Sequence, residues 1–258
     1  VNKILLSAVF LLTACDAPPA RILPPTPNPI TLSILPSLEP AVPALIQCSE
    51  SLPDTVLFVE RVPASAVVNS SADLTLWLGD PPANTGFAAP LVRDELVVVV
   101  NPVNPLEDLE IGDLRAIFSG REENWAGLID VDSRVSVWVY PEGNELQEIF
   151  AGTVLEGSRL TSLANLAPGV EAMLEAIAAD PAAIGFLPEA WLNDTVRPVQ
   201  VTGVSLQVPI ILLAEKEPQG NERALASCLQ NREGLDLLLE RYSPWEGLRG
   251  SAHPLNRP

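Results

Sequence analysis

The sequence predicts an α/β body with mostly parallel sheets, set behind an export leader and a proline-rich stalk. Short strand patterns alternate with helical patterns from Ile30 to Arg241, the order expected of parallel strands joined by crossover helices. Glu95 to Val100 is a continuous run rich in valine, which marks a strand buried on both faces. Before Ile30 the chain offers only a short apolar stretch followed by prolines, too little to build a core.

The leader comes first. Lys3 supplies a positive start, and Ile4 to Leu12 is a run of nine nearly all apolar residues. A membrane span needs about 20 such residues, so this run reads as the apolar region of a signal peptide. It ends in Leu12-Thr13-Ala14-Cys15, which resembles the lipobox of bacterial lipoproteins. That resemblance implies a signal peptide over residues 1–14, lipidation of Cys15 and an anchor on the outer face of the cell membrane. A plain secretory signal with an incidental cysteine is the alternative reading. Each buried methylene of a lipid chain contributes about 0.8 kcal/mol, so several chains hold a protein firmly. Residues 15–29 carry Pro18, Pro19, Pro24, Pro25, Pro27 and Pro29, a density that favours an extended, semi-rigid spacer.

The body, residues 30–258, opens with a strand pattern at Ile30 to Leu35 and a turn at Pro36-Ser37. A helix toward Cys48 follows, for which Ser37 is a suitable N-cap. Thr55 to Glu60 and Leu74 to Leu78 read as short strands, and Ile111 to Phe118 as a helix with Ile111, Leu114, Ile117 and Phe118 on one face. Arg134 to Tyr140 alternates, with Val135, Val137 and Val139 on one side. It leads through Pro141-Glu142-Gly143 into a helix marked by Leu146, Ile149 and Phe150. Val170 to Ala179 is helical and is stopped by Asp180-Pro181. Strands at Ala183 to Leu187, Arg197 to Val201 and Val208 to Leu213 precede helices at Asn221 to Leu229 and Glu233 to Arg241.

Composition narrows the function. The formal charge is −18, which repels phosphate backbones and argues against a nucleic-acid partner. His253 is the sole histidine and lies in a proline-containing tail, which leaves no basis for a Ser-His-Asp arrangement. No histidine pair supports a zinc site, and no Gly-x-Ser-x-Gly or lysine-ended phosphate loop occurs. The sequence therefore predicts a non-enzyme with neither metal nor cofactor. With Cys15 lipidated, Cys48 and Cys228 remain as a disulfide candidate in an oxidising compartment, or as two separate buried thiols.

One stretch is more specific. Leu96-Val97-Val98-Val99-Val100-Asn101-Pro102 leads to Leu109-Glu110-Ile111-Gly112-Asp113-Leu114, then Ile117-Phe118-Ser119-Gly120 and Asn124-Trp125. Further on, Ile177-Ala178-Ala179-Asp180-Pro181 precedes Ala183-Ile184-Gly185-Phe186-Leu187. In content and order these blocks resemble the phosphate-type substrate-binding proteins of ABC transporters. The resemblance implies a two-lobed periplasmic-binding-protein fold of type II with a central ligand cleft. Lobe one would span about 30–95 and 209–258, and lobe two about 96–208. It also implies a small-molecule solute, an oxyanion in phosphate binders, and an ABC permease as partner. Cys48 and Cys228 would both fall in lobe one, which favours the bridge.

The ligand turn departs from the family. Members carry an arginine and a Ser-Gly-Thr turn where the Arg134 to Tyr140 strand meets its helix. This chain has Tyr140-Pro141-Glu142-Gly143-Asn144 there. The resemblance therefore points to Ser37, Asp73, Glu142, Gly143 and Asn144 as ligand-binding candidates, Asp73 as the acid that accepts a ligand proton. Four of them have a plainer reading: Ser37 as an N-cap, Asp73 as a turn cap, Glu142 as a first-turn acid and Asn144 as a solvated polar residue. With the arginine and both hydroxyls gone, a solute bearing donor groups suits the turn better than phosphate. A sensing or protein-binding lipoprotein with a degenerate cleft is the alternative.

Overall fold

The computed structural model describes residues 27–67, 70–83 and 85–245. The expected leader, the expected lipidation site Cys15, most of the proline-rich stretch and His253 lie outside the described residues.

Strand β1 (Asn28–Ile34) starts two residues ahead of its apolar alternation, so Asn28 and Pro29 belong to the sheet. Here β1 pairs with β2 (Thr55–Arg61) alone, because β3 (Leu74–Leu78) joins only from Leu32 onward. A proline is tolerated where one side of a strand has no neighbour to bond. The helix expected from Ser37 differs from the one observed. Pro36–Ala41 is a 3₁₀ segment, and helix α1 (Val42–Glu50) begins only after it. Pro40 and Pro43 supply no N–H, so the regular α ladder cannot close across them. Ser37 is inside the 3₁₀ turn and caps nothing; Leu35 holds the cap position without a side-chain bond.

After the short α2 (Ala64–Val67) and β3, strand β4 (Phe87–Val100) is far longer than its valine run. Pro90, Arg93 and Asp94 interrupt the apolar pattern of its first half. Pro90 is accommodated at a bulge, where Val92 and Pro90 face consecutive residues of β10. Then come β5 (Asp108–Glu110), α3 (Ile111–Phe118), β6 (Ser136–Val139) and α4 (Glu145–Phe150), which runs on as a π turn to Leu155. The remaining elements are β7 (Asn165–Leu166), α5 (Val170–Ala179), β8 (Ala183–Pro188), β9 (Arg197–Thr202), β10 (Gln207–Ala214), α6 (Gly220–Gln230), α7 (Arg232–Leu238) and β11 (Ser243–Pro244).

The strands run in the order β2-β1-β3-β10-β4-β8-β6-β7. Pairing is parallel toward both ends, β2-β1-β3 and β8-β6-β7, with β5 also parallel to β9. It is antiparallel around the long β4 and the returning β10. From Phe87 to Glu95 β4 pairs with β10, and from Leu96 to Val100 with β8, so one strand serves two sheets in turn. The fold is the two-lobed mixed α/β architecture that the sequence predicts.

Each lobe has its own fastening. In the second, Phe150 stacks on Phe186 at 3.9 Å, and the Tyr140 hydroxyl donates to the Phe186 carbonyl at 3.0 Å. The buried Asn101 amide donates to the carbonyls of Ile177 and Ala178, tying the end of β4 to the end of α5. That bond gives the Asn-Pro motif a structural role. In the first lobe, Cys48 of α1 is bonded to Cys228 of α6, with 5.7 Å between their Cα atoms. Gly234 of α7 packs there so closely that a Cβ would come within 2.8 Å of the Cys48 sulfur.

Candidate functional site

Ligands of open α/β sheets bind outside the carboxyl ends of the parallel strands. At the carboxyl end of β1 lies the Pro36-Ser37 turn, and at that of β6 the turn Pro141 to Asn144. The two turns face each other across a cavity of about 260 Å³, closed further by Pro63 and Ser65 near α2 and by Gly169 to Glu171 at the start of α5.

Four of the five sequence candidates line this cavity: Ser37, Glu142, Gly143 and Asn144. Gly143 has φ +82°, the left-handed region in which a side chain strains the backbone, and open space where a Cβ would go. Conformation alone therefore calls for glycine. Its N–H donates to Glu148 Oε1 at 3.3 Å. Asn144 is half-buried and is a helix cap rather than a solvated residue. Its Oδ1 accepts from the N–H groups of Leu146 at 2.9 Å and Gln147 at 3.4 Å. Since α4 begins at Glu145, Glu142 precedes the helix and is exposed on the rim rather than in the first turn.

Asp73 is a correction. It precedes β3 at the amino end of the strand, where its carboxylate accepts from the Thr31 N–H at 2.8 Å. It lines a separate cavity with Thr75, Glu215 and Lys216. Because β1 and β3 are parallel, residues ahead of β3 lie at the end of the sheet opposite Ser37.

The group that sequence reading misses is Glu145. Its carboxylate accepts from the Ser37 hydroxyl at 2.6 Å, and both residues are buried, at 6% and 2% exposure. The distance is that of a charge-assisted bond. The Ser37 carbonyl is held as well, by the Trp191 indole N–H at 2.6 Å. Trp191 follows β8, so the second lobe contacts the hydroxyl and the carbonyl of one serine in the first. Nearby, a Cβ on Gly79 at the end of β3 would come within 3.6 Å of Ile149 of α4. Asn144 is the available signal for Glu145: once it is the cap, the next residue begins the helix and can turn inward.

The electrostatics are one-sided. Glu142, Glu145 and Glu171 line the cavity, and among the described residues no lysine or arginine does. Burial pushes the Tyr140 phenol well above its ordinary range, and the charges of Glu145 and Glu171 push it the same way. A field that opposes a phenolate also opposes a bound oxyanion. Beside the crossing, Asp94 is buried with its pKa pushed up to about 7, mainly by desolvation. Among the described residues no group of His, Cys, Asp and Glu side chains is arranged to hold a metal ion.

Solved structures share the architecture. A protein described as a phosphate ABC transporter substrate-binding protein from Clostridium perfringens, with bound phosphate, superposes with a TM-score of 0.75 at 18% identity, over 85% of this chain and 100% of the other. An ABC-type phosphate transport receptor from Vibrio cholerae gives 0.68 at 19% identity, over 84% of this chain and 100% of the other. An OxyR2 regulatory domain from Vibrio vulnificus gives 0.60 at 12% identity, over 82% of this chain and 98% of the other. No curated protein matches the chain in sequence. The profile of the PBP superfamily domain matches residues 64–226, which is more than half of the sequence, and the chain belongs to that superfamily.

Proposed function

We propose that this chain is a lipid-anchored, extracytoplasmic solute-binding protein of an ABC-type transporter, and that its solute presents hydrogen-bond donors rather than oxyanion oxygens. One observation carries the solute class. The cleft between the facing turns is lined by Glu142, Glu145 and Glu171, with no basic side chain among the described residues. Two like charges 4 Å apart repel by about 4 kcal/mol at an effective dielectric of 20, and a phosphate here would meet more than one. The C. perfringens protein of this fold carries phosphate. Among the described residues, the same cleft in this chain supplies the Ser37 hydroxyl but no cation. Ser37, Glu142 and Asn144 are the proposed ligand contacts, and Gly143 sets the bend that brings them together.

Thermal unfolding in the presence of candidate solutes tests this reading. A solute at about a hundred times its Kd adds roughly 2.7 kcal/mol, which for a protein of this size raises Tm by roughly 5 to 10 °C. Millimolar phosphate is expected to leave Tm unchanged, and a small amine or polyol to raise it. A rise with phosphate of that size sinks the solute class.

A second reading, a sensing or protein-binding lipoprotein on the same fold, draws support from the Ser37–Glu145 contact, which joins the lobes with protein groups alone. The fold is also used by an OxyR2 regulatory domain. A chain that responds to no small solute, yet co-purifies in fixed ratio with an envelope protein other than a permease, favours this second role.

A further inference from the structure

We infer that Glu145 determines the ligand class of the cleft by acting as its built-in anion: its carboxylate holds the Ser37 hydroxyl that an oxyanion would need, and joins the two lobes without one. The inference rests on the reading of this cleft as the solute site, and deepens it.

The geometry that points here is specific. Ser37 and Glu145 are 108 residues apart and belong to different lobes, yet their side chains meet at 2.6 Å in a buried contact. Ser37 comes from the turn after β1, and Glu145 opens α4 after β6. A hydroxyl offered by one lobe to an acid oxygen of the other is the contact a small acidic ligand makes when lobes close on it. Here the oxygen belongs to the chain. Trp191 fixes the serine backbone from behind through its carbonyl, which keeps Ser37 in place beside Glu145. Asn144 fixes the other partner, because its cap sets where α4 starts and hence which way Glu145 projects.

Two consequences follow from charge. An entering phosphate must displace a buried carboxylate from its donor and then lie beside it, with Glu142 and Glu171 adding repulsion from the rim. A solute that donates meets acceptors already in place. The exclusion is thus built from one side chain, and its removal is expected to restore oxyanion binding, a gain that loss of a merely structural residue does not produce.

The test uses the full chain, titrated with inorganic phosphate by calorimetry and measured without solute by small-angle scattering. Wild type is expected to take up no phosphate at millimolar concentration and to have a compact radius of gyration. Glu145→Ala is expected to bind phosphate at least about 100-fold more tightly than the limit set by wild type, the order of effect that removing a buried like charge produces. Both Glu145→Ala and Ser37→Ala are expected to have larger radii, because either change breaks the contact. Glu145→Gln keeps size and acceptor while removing the charge, so phosphate uptake with a compact radius is expected. It decides the matter if the alanine variant does not fold. Phosphate binding by wild type equal to that of the variants overturns the inference, as do folded variants that stay compact and take up no phosphate. If a donor solute saturates wild type while the folded variants ignore phosphate, the inference fails and the solute-binding reading survives. If the variants gain phosphate and open while wild type binds no solute, the inference stands and that reading fails.

Discussion

Asp94 lies on β4 two residues before Leu96, where that strand changes partners. Its Oδ1 accepts from the N–H groups of Glu95 and Ala190 at 2.8 and 3.4 Å. Its Oδ2 is buried without a partner among the described residues. Glu189 and Tyr242 face it, and neither supplies a compensating positive charge. Desolvation therefore favours the protonated form and raises the pKa from 3.8 to about 7. Between those values the folded protein holds a proton that the unfolded chain has lost. Stability is consequently fully present at low pH and falls as pH rises through about 7. The Asp94→Asn variant is expected to lose this slope and to be more stable than wild type at pH 8, by at most about 4 kcal/mol. Urea denaturation of both proteins from pH 5 to pH 8 measures it, and parallel pH profiles refute it.

The same scale shows how much of the site is legible in the sequence. Ser37, Glu142, Gly143 and Asn144 are found through the family resemblance, which puts these two turns at the cleft, and they line one cavity. Glu145 is not, since its direction depends on which of several polar residues caps α4. Asp73 is misplaced because Ser71-Ala72-Asp73, read as sequence, does not show at which end of the sheet it lies. Only the parallel pairing of β1 with β3 decides which end it occupies.

Among the elements, α4 is opened by the side chain of a single residue. Asn144 satisfies two of the N–H groups left open at its start. Replacement by alanine is expected to destabilise the protein by about 1 kcal/mol. The turn carrying Glu142 and Glu145 should loosen with it, seen as faster amide exchange at Leu146 and Gln147. Unchanged exchange at both positions counts against the cap. Most longer elements can be read from periodicity, because burial of one face imposes it. The exceptions have physical causes. Pro40 and Pro43 delay α1, and a bulge at Pro90 hides the first half of β4. Strands β5, β7 and β11 are two or three residues long, too short for alternation to show, and exist because a neighbouring strand pairs with them.

For the whole molecule, the Cys48–Cys228 bond spans 180 positions in sequence. Closing so long a loop removes roughly 5 kcal/mol of unfolded-chain entropy in the simplest account. Reduction, or Cys228→Ser, is expected to lower Tm by well over 5 °C. A differential scan with and without reductant reads this directly, and equal transitions contradict it.

The strand order has a consequence for how such a chain is made. Strands β3 and β4 follow one another in sequence but are held apart by β10, which arrives more than 100 residues later and bonds to both. A chain emerging from its amino end therefore completes the second lobe first. Meanwhile the first lobe waits as a half-built sheet with two raw edges, the state in which strands recruit wrong neighbours. The last segment must follow quickly, or the waiting sheet be guarded by a holding factor. A premature stop before Gln207 would accordingly yield aggregated material rather than a shorter working protein.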